Sequence, residues 1–311
     1  MVRRFLFLGL LVLVMIGLTA CPPPARRPAP RWPTREPVIS LYVKESDTVK
    51  KIKLEDYLTG VVAGEMDPSW PVNALAAQAI LARTFTLKKM TEGGVKAHGT
   101  DASTDEKEFQ AYAPERVNDR VRRAVQMTRG LVCTYQGKYI NAWFHADAGG
   151  RTAASAAEGL AYFQEPAPFV KSVADPGWRL SPPDNKSWRV VLPWARVRHL
   201  VRQATGQDPG ATPGASVIRK GPSGRATLLR VGKATVGAPA LRLAVGSDKM
   251  RSTLLTAFVA RDNHLVIEGR GFGHGVGMSQ WGARALAEEG KRPEEILQYF
   301  FRGIRIEKAW P

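Results

Sequence analysis

Glu65 is the lone acid in the run Val61-Val62-Ala63-Gly64-Glu65-Met66, and Trp70 and Pro71 follow before a long Ala-rich stretch. Apolar neighbours on both sides place its carboxyl for partial desolvation. Desolvation disfavours the charged form and raises a carboxyl pKa, so such a group keeps a proton near neutral pH and can deliver it as a general acid. Two histidines lie where the chain bends. Five glycines surround His274 in GRGFGHGVGMSQWGARAL, Gly269 to Leu286. Glycine opens backbone conformations closed to other residues and lets a ligand approach closely. The loop carries neither GxGxxG nor GK[ST], which excludes a dinucleotide fingerprint and a P-loop. On the residues alone it reads equally as a tight turn into a helix capped by Ser279 or as a binding loop. His145 lies in Asn141-Ala142-Trp143-Phe144-His145-Ala146-Asp147-Ala148-Gly149-Gly150-Arg151-Thr152. It closes a strand ahead of a glycine turn, where it is either satisfied by the turn backbone or placed to bind.

The elements that must hold these residues follow from periodicity and punctuation. Val38–Val43 and Val49–Ile52 read as short strands and Leu54–Glu65 as a helix. Pro71 suits the first turn of a second helix, running to about Met90. Residues 93–106 form a polar loop, and Arg116–Met127 a helix. Leu131–Tyr135 and Tyr139–Phe144 are expected as a hairpin through Gln136-Gly137-Lys138. Trp188–Val191 reads as a strand, Trp194–Ala204 as a helix, and residues 205–240 as a Gly/Pro-rich insertion with short strands. Leu265–Ile267 is a strand feeding the glycine loop, Met278–Glu289 a helix, Glu294–Phe301 a last helix and Ile304–Glu307 a last strand. There is no internal repeat. The pattern predicts an α+β class, with mixed helices and short antiparallel strands forming a two-lobed domain around a substrate cleft.

The N-terminus predicts an address. Arg3 and Arg4 precede the apolar segment Phe5 to Ile16, the layout of an export signal over residues 1–20. Leu18-Thr19-Ala20-Cys21 looks like a bacterial lipobox, with lipidation of Cys21; the alternative is an uncleaved anchor, for which the run is short. Residues 21–37 form a Pro/Arg-rich linker, a semi-rigid spacer. Residues 38–311 then form the main domain, with a divergent lobe at about 181–240. The expected location is outside the cytoplasm, lipid-anchored to a bacterial membrane and facing the cell wall or periplasm. A formal charge of +17 points to anionic wall polymers or an anionic membrane surface, and no nucleic-acid motif is present. With Cys21 lipidated, Cys133 is alone, and Leu131-Val132-Cys133-Thr134-Tyr135 makes it a packing thiol in a strand.

The stretch Tyr57 to Leu87 resembles the opening motif of the SpoIID/LytB (stage II sporulation protein D-like) family, whose VxxEM element aligns on Glu65. The GxGHGVGMSQWGA signature of that family is matched almost letter for letter, and Phe144 to Thr152 resembles its FHSxxGGxT element. Ala82-Arg83-Thr84 resembles its ART element, and Thr104 to Tyr112 a variable loop ending in FQxY. The similarity runs from about Ile39 to the C-terminus and is weak over 181–240.

The resemblance implies a peptidoglycan lytic transglycosylase that cleaves the glycan strand next to N-acetylmuramic acid, with Glu65 as the catalytic acid and base. It implies substrate contacts from Arg83, Gln110, Tyr112, His145, His274, Ser279 and Gln280; Arg83 alternatively braces the fold. Some members use His and Cys near this region for zinc, but no cysteine accompanies His145 here, so no metal and no cofactor are expected. Standard glycosidases use two carboxylates, whereas a lytic transglycosylase needs one, and one stands out here. The expected partners are peptidoglycan glycan strands, the membrane through the lipid anchor, and a cell-wall amidase. That last partner belongs to the alternative function, a non-catalytic glycan-binding enhancer of an N-acetylmuramoyl-L-alanine amidase; a structural envelope lipoprotein is a third possibility.

Overall fold

The computed structural model describes residues 33–310. The export signal, Cys21 and most of the linker lie outside the described residues. Among the described residues no helix is long and apolar enough to cross a membrane. In chain order the first elements are β1 (Val38–Val43), β2 (Thr48–Lys53), α1 (Leu54–Glu65), α2 (Val72–Thr91), β3 (Ala102–Ser103) and α3 (Asp119–Met127). Next come β4 (Leu131–Tyr135), β5 (Lys138–Tyr139), β6 (Phe144–His145), α4 (Ala156–Leu160), α5 (Pro183–Lys186), β7 (Trp188–Pro193) and α6 (Trp194–Thr205). The chain then forms β8 (Ala215–Lys220), β9 (Ala226–Val231), β10 (Ala234–Gly237), α7 (Ala238–Val245), β11 (Leu255–Arg261) and β12 (His264–Gly269). It closes with β13 (Met278–Ser279), α8 (Gln280–Glu288), α9 (Pro293–Phe300) and β14 (Arg305–Lys308). The class is α+β: helices among small, mostly antiparallel sheets.

Helix α2 is buried on every face from Ala74 to Thr84, as a mostly apolar helix inside a core must be, with Gln78, Arg83 and Thr84 as its buried polar residues. Its residues from Ala74 to Ala82 are solvent-free, and Ala74, Ala76, Ala77, Ala79 and Ala82 are small enough for α1, α3, α8 and α9 to pack close around it. This first core also takes in β4 and the glycine-loop residues Val276 and Met278. A second core gathers Trp188, Trp194, Leu229, Val236, Phe258 and Ile267 from β7, α6, β9, β10, β11 and β12. Its helix α6 buries only one stripe, Trp194, Val197, Leu200 and Val201, and leaves Arg196 and Arg202 in water.

The hairpin after β4 is shorter than expected. β5 pairs with β4 for two residues only, and the chain then leaves the sheet. Phe144 and His145 instead pair in parallel with Met278 and Ser279, so Met278 opens no helix and α8 starts at Gln280. Pro71 likewise sits one residue outside α2, as its cap.

Candidate active site

Glu65 is the last residue of α1, and the chain turns to extended geometry at Met66. Its carboxylate Oε1 accepts the Ala111 N–H at 2.9 Å. That approach needs Gly64, since a Cβ there would lie 2.8 Å from the Ala111 carbonyl carbon. Gly60 makes the equivalent room for the Tyr112 ring, which stacks on buried Tyr57 at 5.5 Å. From the far end of the chain, the Gln280 amide donates to the Glu65 carbonyl at 3.0 Å. Burial pushes the Glu65 carboxyl up to about 7; the Ala111 N–H opposes the rise, the charge of Glu106 adds to it, and the Gln280 amide opposes it. The negative end of α1 works in the same direction as burial. A hollow of about 380 Å³ lies alongside, lined by Gly64, Ala111, Tyr112 and Glu106.

Gln280 is placed by two devices. The Ser279 hydroxyl caps α8 by accepting the Gly282 N–H at 3.1 Å, and it donates to Asp175 at 2.8 Å. On the next turn, Arg284 lies 5.1 Å from the Trp281 ring centre and 5.3 Å from that of Trp70, and the two rings are 4.7 Å apart. This cation–π clamp ties α8 to the turn between α1 and α2.

The two histidines face each other with ring centres 5.5 Å apart. His145 donates from Nδ1 to the Val276 carbonyl at 3.2 Å, which leaves its buried Nε2 an acceptor without a partner among the described residues. His274 Nδ1 accepts the Val276 N–H at 3.0 Å. Burial, and then the charges nearby, hold both imidazoles well below the usual histidine range, His274 at about 3, so both are neutral at neutral pH. Among the described residues no three His, Cys, Asp or Glu side chains gather as a metal-holding set.

The sequence-predicted residues therefore divide. Gln280 and the Ala111–Tyr112 segment meet at Glu65, while His145 and His274 form a separate pair, linked in the chain to Gln280 through the pairing of His145 with Ser279. Arg83 is solvent-free: it grips Glu55 with two hydrogen bonds, at 2.9 and 2.6 Å, and reaches the Leu131 carbonyl at 2.9 Å. It braces α1 on α2, the second of the two roles its place in the sequence left open. Ser279, also solvent-free, is fully used as a cap. Gln110 is buried against Thr86 at 3.1 Å, behind the segment that holds Glu65. These three support the site from inside.

Sequence reasoning missed Asp175, Arg225 and Glu106. Asp175 accepts from Ala148, Gly177 and Ser279 and so joins three loops; Asp before Pro176-Gly177 is a recognisable turn cap. Arg225 is solvent-free and donates to the Ala148 and Arg151 carbonyls, both at 2.7 Å. Glu106 is the second carboxylate near Glu65 and had no motif to mark it.

A family model described as stage II sporulation protein matches residues 42–135. The stage II sporulation protein D of Bacillus subtilis (strain 168) is 30% identical over 289 residues, covering 87% of this chain and 79% of that protein. An uncharacterized protein of Brachyspira hyodysenteriae is 31% identical over 272 residues, 86% of this chain and 70% of that one. The amidase enhancer of Bacillus subtilis is 29% identical over 296 residues, 80% of this chain but 40% of that longer protein.

Proposed function

We propose, from the premise that the chain belongs to the stage II sporulation protein D family, that it is a peptidoglycan lytic transglycosylase with Glu65 as general acid and base. Family membership supports a role on peptidoglycan. The finer reading rests on one observation: a half-buried carboxyl, anchored by the Ala111 N–H and titrating near neutrality, belongs to a residue whose neighbours Gly64, Ala111 and Tyr112 line a hollow.

Protonated Glu65 gives its proton to the glycosidic oxygen as the bond to the sugar C1 breaks. The carboxylate then takes the proton of that sugar's own 6-hydroxyl as this oxygen bonds to C1, closing a 1,6-anhydro ring. No water is consumed, and an attacking group held within the substrate supplies much of the rate. A single carboxyl with a pKa near the working pH suits both halves of this cycle. Half-buried Tyr112 and His274 form the proposed substrate-facing pair, with buried Gln280 and His145 placed behind them. The lipobox supports anchoring through Cys21, with the proline-rich linker holding the domain toward the wall.

The test is Glu65→Gln, which keeps size and most hydrogen bonding but cannot donate and recover a proton. Turnover on purified glycan strands, read as anhydro ends by mass analysis, falls by about two orders of magnitude or more. Wild-type activity declines on the alkaline side as pH passes about 7. The likeness to a protein named amidase enhancer favours a second reading, a non-catalytic glycan-binding activator of an amidase. Wild-type protein that makes no anhydro ends yet stimulates a wall amidase selects it.

A further inference from the structure

A second cavity, of about 340 Å³, opens between the last turns of α2, the segment Asn141–Trp143 and the loop after α4. Glu65 is not among its lining residues, and the two hollows share none. Its walls are half-buried aromatic rings, Trp143 against Tyr162 edge-to-face at 5.1 Å with Phe85 opposite. Its rim is a fixed polar network: the Asn141 amide donates to Glu165 at 2.6 Å, and Lys88 bonds both Glu165 at 2.9 Å and Glu92 at 3.0 Å. Phe163, between the lining residues Tyr162 and Gln164 in the chain, is 78% exposed.

These features narrow the ligand. The lining cations Lys88 and Lys89 are matched by Glu92 and Glu165, so the cavity offers no net attraction to a polyanion, in contrast to the chain's +17. An apolar ligand would strip water from the hydrogen-bonding capacity that the ion pairs of this rim leave over. A neutral ring with one C–H face and several hydroxyl or amide edges satisfies both halves of the site, stacking on the aromatics and bonding to Asn141 and Glu165. We propose that this cavity is a saccharide subsite, separate from Glu65, that takes an N-acetylated hexosamine of a glycan strand. It rests on the reading of glycan as substrate, and it would hold the strand while the acid works elsewhere on it.

The test titrates the N-acetylglucosamine trimer into the full chain and follows binding by calorimetry and tryptophan fluorescence. The trimer binds wild type and Glu65→Gln with the same affinity. Asn141→Ala and Tyr162→Ala each weaken binding about tenfold, in the range of a truncated binding hot spot; Glu165→Ala does the same and stands in if Tyr162→Ala fails to fold. Unchanged affinity in all folded cavity variants, or loss of binding in Glu65→Gln alone, or no binding by wild type, overturns the proposal. Binding that needs the cavity in a protein that makes no anhydro ends leaves this subsite standing and removes the catalytic reading.

Discussion

Arg83 and Arg225 head the side chains that the protein buries completely, and they are buried in opposite ways. Arg83 sits among the helices of the first core and meets a carboxylate, Glu55, with two parallel hydrogen bonds. Arg225 immediately precedes β9 at the margin of the second core and meets main-chain carbonyls and the Ser223 hydroxyl, while its Nε has no partner among the described residues. Burial pushes its guanidinium down to about 10, with the charges of Glu158 and Asp175 opposing. The difference reflects what each joins. Arg83 locks two regular helices, whose backbone groups are already satisfied. Arg225 bonds the Ala148 and Arg151 carbonyls of an irregular loop and lies against Gly275 of the glycine loop. The acid is thus carried by a helix braced by an ion pair, and the histidines by loops braced by a cation.

That contrast predicts different costs. Arg83→Met leaves Glu55 charged and without its partner beside a dry core, a loss of about 3–5 kcal/mol. The double variant Arg83→Met with Glu55→Leu recovers much of it, because replacing both partners by apolar groups removes the stranded charge. Urea unfolding of the two variants measures this. A single variant as stable as the parent would show that the pair contributes nothing.

Arg225→Met removes no salt bridge and strands two carbonyls, so the expected cost is smaller, about 2–3 kcal/mol. The sharper test couples it to the loop. Gly275 has φ +80°, and a Cβ there would overlap the Arg225 guanidinium. Gly275→Ala therefore destabilises through both strain and collision. In Arg225→Met the collision is relieved, so the double variant is more stable than the two single costs predict, by about 0.5–3 kcal/mol. Strict additivity would mean that the guanidinium does not hold the glycine loop.

The same contrast explains what was legible in the residues. Helix α1 runs from Leu54 to Glu65 as its pattern requires, and it delivers the acid at its end. The glycine loop was legible as a loop because glycine at Gly271, Gly273, Gly275 and Gly277 supplies positive φ, from +75° to +113°. The pairing of His145 with Ser279 was not, since two-residue strands 134 positions apart carry no period to read. Arg225 was hidden in a Gly/Pro-rich stretch whose composition suggests exposure. Ser279 was readable as cap or as ligand contact, and a single buried hydroxyl already bonded to Gly282 and Asp175 performs the first role.

The smallest expected effect concerns the acid itself. Folded Glu65 keeps its proton up to about pH 7, whereas the unfolded chain releases it near 4.5. Between those values the folded state binds more protons, so this group's contribution to stability falls as pH rises. Above pH 7 the folded protein must ionise a half-buried carboxyl. At about 1.4 kcal/mol per pKa unit this amounts to at most about 3.5 kcal/mol, and contact with water lowers it to about 1–2 kcal/mol. Gln at position 65 never ionises. Glu65→Gln is therefore more stable relative to wild type at pH 8 than at pH 4.5 by about 1–2 kcal/mol, read from urea midpoints at the two pH values. The substitution proposed to abolish glycan cleavage is then favoured in stability in the alkaline range where Glu65 is ionised. A stability difference that does not change with pH would mean that Glu65 titrates as an ordinary surface glutamate, and the general-acid assignment would lose its physical basis.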